Sequence, residues 1–248
     1  MEEYNISRSI LEDYTQRLFN MLQTDVAIIG AGPSGLTAAY YLSKAGIKTA
    51  VFDKRLSIGG GIWGGAAGYS SISVKEKDIL DEIGVRTKKK RGNYLARSIE
   101  FATGLCYRAV QSGAEIFNLI KFEDLIIKRG KIEGVVLNSS TISMAKLPVD
   151  PFCVCAKRVV DATGHEAEVV SILKRKVRDF SIKEPGEGPL DVARSEKALV
   201  EKTGEVYPRV YLTGMSVCAA YNLPRMGPVF GGMLQSGKKV AELIAISL

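Results

Sequence analysis

The chain has 248 residues, enough to bury a substantial core, and its 46% apolar and 25% charged composition is that of a globular protein, not a disordered one. The net charge of +7 is dispersed apart from the run Lys88-Lys89-Lys90-Arg91, which reads as a solvated loop; no basic stripe interleaved with aromatic residues accompanies it, so no nucleic-acid partner is expected. No apolar run is long enough to span a membrane, and Glu2, Glu3, Glu12 and Asp13 are wrong for a signal peptide, so no membrane association and a cytoplasmic location are expected.

Residues 6–22 place Ile6, Ile10, Leu11, Tyr14, Leu18, Phe19 and Leu22 at helical spacing. This predicts an amphipathic lead helix that packs on its own core or on a neighbouring subunit. Residues 25–30 form a short apolar strand, and the turn Gly30-Ala-Gly-Pro-Ser-Gly35 follows. A helix is expected over 36–45, closed by Gly46, and a second strand over 48–53. Residues 57–74 have the glycine and serine content of a loop. Helical spacing returns over 75–83 and 94–112. Short strands are expected at 115–120, 124–128 and 132–138, with Arg129-Gly130 as a turn, while residues 139–150 are ambiguous. Residues 152–161 read as a strand running into Asp161-Ala-Thr-Gly-His165. The stretch 176–205 has weak periodicity and several prolines and glycines, so it reads as loop-rich; a strand over 210–213 and a helix over 231–246 close the chain. With no repeat and no linker, residues 1–248 are expected to form a single dinucleotide-binding domain. The fold class is α/β: Rossmann-like, with a mainly parallel sheet and an inserted small β-rich region, as in two-dinucleotide-binding flavoproteins.

The glycine turn carries chemistry because of its context. It follows a buried strand, opens a helix, and is followed at the end of the next strand, about 20 residues on, by an acid, Asp53. Gly30 allows the tight turn, Gly32 lets backbone N–H groups approach a pyrophosphate, and Gly35 lets helix and strand pack closely. The helix N-terminus then faces the phosphates. Asp53 can accept hydrogen bonds from ribose hydroxyls and disfavours a 2′-phosphate, which selects NAD or FAD over NADP. Later segments, Val160-Asp-Ala-Thr-Gly164 and Tyr211-Leu-Thr-Gly214, recur in flavoproteins, but Met215 stands where those enzymes often carry an aspartate for the flavin ribityl chain. NAD is therefore favoured. The four cysteines, Cys106, Cys153, Cys155 and Cys218, form no CxxC pair and read as reduced thiols.

These motifs resemble those of the thiamine thiazole synthases, over nearly the whole chain. The resemblance rests on Asp25-Val-Ala-Ile-Ile-Gly-Ala-Gly-Pro-Ser-Gly-Leu, Gly59-Gly-Gly-Ile-Trp-Gly-Gly65, Val149-Asp-Pro151, Asp161-Ala-Thr-Gly-His165 and, most distinctively, Arg225-Met-Gly-Pro-Val-Phe-Gly-Gly-Met233. It implies an enzyme that takes NAD as a substrate, removes nicotinamide, condenses the ADP-ribose moiety with glycine, adds sulfur from sulfide and closes an adenylated thiazole with the help of iron(II). It implies NAD contacts from Ser34, Asp53, Lys54 and Gly61, with Leu125 and Met215 matching more loosely. It implies Asp150 and His165 as the iron ligands, Arg225 as the holder of the glycine carboxylate, and a homo-octamer or other homo-oligomer with shared sites.

Elementary chemistry supports three of these roles. His165 is the sole histidine and lies just past a strand end, where α/β active sites form. One imidazole and one carboxylate suit iron(II) and leave positions open for substrate atoms. The planar guanidinium of Arg225 suits bidentate binding of a carboxylate. The chain departs from the family pattern at Pro148. The fungal and plant enzymes carry there a cysteine that gives up its sulfur, and archaeal ones a histidine. Proline can do neither, so free sulfide is the expected sulfur source, with Cys153 and Cys155 as remote substitutes. Two alternatives stay open: an FAD-dependent oxidoreductase of related fold, and a family member lacking the sulfur step that acts as a sugar-phosphate isomerase or only binds NAD.

Overall fold

The computed structural model describes residues 1–182 and 184–248. Helix α1 (Glu2–Met21) leads into β1 (Gln23–Ile29), α2 (Pro33–Lys44) and β2 (Thr49–Asp53). A small antiparallel insertion follows: β3 (Ser71–Val74), the short α3 (Asp78–Glu82), β4 (Thr87–Lys90) and β5 (Asn93–Arg97). Helix α4 (Ser98–Gln111) returns the chain to β6 (Glu115–Asn118), then to the hairpin β7 (Ile120–Lys128) and β8 (Lys131–Ser139), α5 (Ser140–Ala145), β9 (Phe152–Asp161) and α6 (Glu168–Lys176). The last part comprises β10 (Gly188–Leu190), α7 (Val192–Lys202), β11 (Gly204–Tyr207), β12 (Val210–Leu212), α8 (Met215–Ala220), β13 (Pro224–Arg225) and α9 (Gly231–Ser247).

The architecture is mixed α/β, with a main sheet built outward from β1. It runs β11-β12-β9-β1-β2-β6, and β1 pairs in parallel with both β2 and β9. Strand β2 pairs in parallel with β6, and β9 with β12; only β11 and the β7–β8 hairpin are antiparallel. Alternate residues of β1 and β2 feed opposite faces, as the pleat requires. Val26, Ile28 and Val51 face the apolar layer that holds Leu36, Leu105 and Val240 of α2, α4 and α9. Ala27, Ile29, Ala50 and Phe52 face the layer made by the β7–β8 hairpin and α6. A strand covered on both faces must be apolar throughout, which is why residues 25–30 show no polar alternation. The positive ends of α2 and α8 and the carboxyl ends of β1, β2 and β9 therefore meet on one side of the sheet.

Three local expectations change. Residues 94–97 belong to β5, paired on both sides with β3 and β4, and the helix begins only at Ser98. The basic run is not a loop: Lys88, Lys89 and Lys90 lie in the exposed edge strand β4, where charge blocks further strand pairing. The stretch 176–205 contains α7, capped by Asp191, whose carboxylate accepts from the Arg194 N–H at 3.2 Å. Its periodicity is hidden in the sequence because polar Ser195 and Glu196 share the buried face with Leu199. Among the described residues no helix is long and apolar enough to cross a membrane.

Candidate active site

The dinucleotide turn is built by close backbone approach. Gly30 has φ +101°, and a Cβ there would stand 2.4 Å from the Ala162 carbonyl oxygen. A Cβ at Gly35 would stand 2.1 Å from the Gly30 carbonyl oxygen, so only glycine lets α2 start this close to the end of β1. Pro33 occupies the first turn of α2, where no N–H is needed. Asp53 is nearly buried and has a second task that its spacing does not reveal. Its Oδ2 accepts from the Ala31 N–H at 2.7 Å and its Oδ1 from the Arg55 N–H at 2.8 Å, so it braces the turn it serves. The Gly59–Gly65 loop folds over this platform, and the Gly59 N–H donates to the Ala31 carbonyl at 2.7 Å.

A cavity of about 550 Å³ opens between these elements. Its lining includes Gly30, Gly32, Ser34, Asp53, Lys54 and Gly61 from the first half of the chain. His165, Met215 and Arg225 join them from the second half. Three expected site residues lie elsewhere. Gly35 sits beneath the turn, and Leu125 is buried in the core of β7 against the hairpin side of the sheet. Ile120 and Phe122, nearer the start of that strand, reach the cavity instead. Asp150 lies outside the cavity, in the exposed run Leu147–Asp150 before β9. Asp150 is thus not among the residues that line the cavity with His165, and among the described residues no cluster of three His, Cys, Asp or Glu could hold a metal.

The His165 turn hangs from a buried acid. Asp161, at the end of β9, has no exposed surface. Its Oδ1 accepts from the Thr163 N–H and hydroxyl and from the Ser216 hydroxyl; its Oδ2 accepts from the Val169 and Val170 N–H groups at the start of α6. Burial pushes its carboxyl above the usual carboxylate range, and these bonds pull against the shift. Ser216 in turn accepts from the Gly164 N–H at 3.0 Å, which fixes the backbone beside His165. The His165 ring meets Glu187: Nδ1 lies 2.6 Å from Oε1, and the other oxygen of Glu187 lies 3.3 Å from Arg225 Nε.

On the same His165 turn, Glu166 and, at 2.7 Å, Glu168 clasp Lys54. Burial works against the Lys54 charge, but the two ion pairs outweigh it and the ammonium is stabilised. The hydrogen bond from Glu168 and the Lys54 ammonium hold Glu166 down at about 2, while burial and the Glu166 charge push Glu168 up. Sequence reasoning finds neither Glu187 nor this clasp. Glu187 has no periodic neighbours and sits between Gly186 and Gly188, which reads as loop.

No cysteine among the described residues lines the cavity. Cys153 and Cys155 lie exposed on the same face of β9, whereas burial pushes the Cys106 thiol up to about 11 and raises that of Cys218. Thiolates, not thiols, react with alkylating agents. Iodoacetamide at mildly alkaline pH is therefore expected to label Cys153 and Cys155 of the native protein and to spare Cys106 and Cys218, as peptide mass spectrometry would read. Preferential labelling of Cys106 would contradict this environment.

The model of one family, the Thi4 family, matches residues 7–230 of the chain. The thiamine thiazole synthase of Pyrococcus horikoshii is 48% identical over 248 residues, covering 98% of this chain and 97% of that protein. That of Thermotoga maritima is 45% identical, covering 99% and 98%. The crystal structure of Thermovibrio ammonificans THI4 superposes with a TM-score of 0.96 at 46% identity, covering 100% of this chain and 98% of that one.

Proposed function

The chain belongs to the Thi4 family, and on that premise we propose that it is a thiamine thiazole synthase that converts NAD, glycine and sulfide into an adenylated thiazole, releasing nicotinamide, with iron(II) as its metal. The observation that carries this reading is the convergence, in one cavity, of the glycine turn and Asp53 with His165 and Arg225. A dinucleotide whose pyrophosphate rests on the α2 N-terminus and whose ribose meets Asp53 extends toward His165 and Arg225. Arg225, ion-paired with Glu187 on its Nε side, keeps its outer nitrogens for the glycine carboxylate. Lys54 is already matched by two glutamates, so it offers little charge to a 2′-phosphate, in keeping with NAD over NADP.

Iron held by His165 and Asp150 would offer open coordination positions to substrate atoms. Because Asp150 lies outside the cavity of its own chain, the reading calls for Asp150 from a second copy. Two exposed apolar surfaces support such an assembly: Met144, Leu147 and Val149 around Asp150, and Tyr4, Ile6, Ile10, Leu11 and Phe19 on α1. A homo-octamer or smaller ring with shared sites would cover them. Pro148 has no sulfur to give, so sulfide enters free.

Protein purified without oxygen and incubated with NAD, glycine, sulfide and iron(II) should accumulate an adenylated thiazole in molar excess over subunits, read by mass spectrometry after denaturation. NAD left intact would overturn the reading, and ADP-ribose or a glycine adduct alone would remove its sulfur step.

A further inference from the structure

The roles assigned above leave Glu187 without a task, yet its side chain is only 11% exposed and both of its oxygens face groups of the cavity wall. A carboxylate this deeply placed needs partners to offset its lost hydration, and it has two, His165 Nδ1 at 2.6 Å and Arg225 Nε at 3.3 Å. The backbone holds it there on both sides. The Gly186 N–H donates to the Ala219 carbonyl at 2.8 Å, and the Gly188 N–H to the Leu223 carbonyl at 2.9 Å. Strand β10 then runs parallel to β13, with Gly188 opposite Pro224 and Leu190 opposite Arg225. Glu187 is thus delivered to Arg225 by strand pairing, not by a flexible side chain reaching across solvent.

We propose that Glu187 is the positioning residue of this site: it holds the His165 imidazole with its proton on Nδ1 and draws in the Arg225 guanidinium as its ion-pair partner, leaving His165 Nε2 and the outer guanidinium nitrogens as the groups offered to ligands. The physical reason is simple. A carboxylate oxygen 2.6 Å from Nδ1 demands a proton between them, since two lone pairs at that distance repel. The hydrogen bond made by one ring nitrogen sets the state of the other, so Nε2 becomes the lone-pair donor. A neutral histidine free in water prefers the opposite arrangement, with the proton on Nε2. The same carboxylate is ion-paired with Arg225, the approach being to Nε at 3.3 Å. That charge contact biases a 61% exposed arginine toward the cavity and leaves its outer nitrogens unoccupied by Glu187. The part concerning Arg225 rests on its reading as the holder of glycine; the part concerning the imidazole does not.

The single histidine makes the test direct, because every imidazole signal belongs to His165. Metal-free protein labelled with ¹⁵N-histidine, studied by magic-angle-spinning NMR at a pH where the ring is neutral, is expected to show Nδ1 protonated and Nε2 bare. Glu187→Ala is expected to move the proton to Nε2. In the synthase assay the same variant is expected to raise the glycine KM about tenfold, the effect of losing one close charge pair, while the Kd for NAD stays put. Wild-type protein with the proton on Nε2 overturns the inference without any variant, so a failure of Glu187→Ala to fold leaves it testable. An unchanged tautomer in a folded Glu187→Ala protein also overturns it. Absence of thiazole formation by the wild type would instead remove the synthase reading and leave the tautomer result standing.

Discussion

Replacing Asp161 by alanine is expected to destabilise the chain by about 4 kcal/mol, because five donors are deprived of a fully buried charged acceptor at once. The donors belong to three different pieces of structure. Thr163 is in the turn after β9, Val169 and Val170 open α6, and Ser216 opens α8. The carboxylate is therefore a hub that caps α6 and ties two further segments to the end of β9. Asparagine keeps the volume but must turn its NH₂ toward one of the two sets of donors, so Asp161→Asn should fall between wild type and alanine. At about 2–4 °C per kcal/mol for a chain of this size, Asp161→Ala should lower the midpoint of thermal unfolding by about 8–16 °C. A shift of a degree or two would show the hub to be dispensable. NAD affinity should also weaken, since Gly164 hangs from Ser216 and carries the cavity wall with it.

Arg225→Ala is expected to cut glycine-dependent turnover about 100-fold, the worth of a bidentate guanidinium–carboxylate pair in the reacting complex. The Kd for NAD should change much less, because the Arg225 guanidinium is charge-paired with Glu187 and is read as the holder of glycine, not of the dinucleotide. Arg225→Lys should recover little of that activity. A lysine offers a point charge, cannot present two parallel N–H groups to a carboxylate, and has no Nε to rest on Glu187. Steady-state kinetics with varied glycine at saturating NAD would check both variants. A normal glycine KM in Arg225→Ala would assign the carboxylate to another group.

What can be read along the chain is local. The unit β1–α2–β2 is legible because each of its signals acts within about 30 residues: an apolar strand covered on both faces, glycines required by backbone contact, and an acid at the next strand end. Strand β9 and helix α9 are legible for the same reason, since alternation in the first half of β9, its apolar end, and the helical spacing of apolar residues in α9 are all local patterns. Helix α7 escapes the sequence because Ser195 and Glu196 are buried, so a period that exists in burial does not exist in hydrophobicity. The β5 residues read as helix because pairing on two sides overrides a weak local preference.

The cavity wall is the opposite case. Glu187 meets residues 22 and 38 positions away, and Lys54 meets partners more than 110 away. Asp161 joins Ser216 across 55 positions. None of these pairs leaves a periodic or spaced trace, because a salt bridge constrains two side chains in space and leaves the residues between them free. The chain by itself specified the glycine turn to which the proposed function assigns a dinucleotide's phosphates, since glycine sterics are written into consecutive residues. Which carboxylates meet His165, Arg225 and Lys54 was settled by the parallel pairing of β10 with β13, which sets Glu187 beside Arg225, and by the approach of the start of α6 to the end of β2, which brings Glu168 to Lys54; each charge then pairs with the opposite charge that packing places nearest.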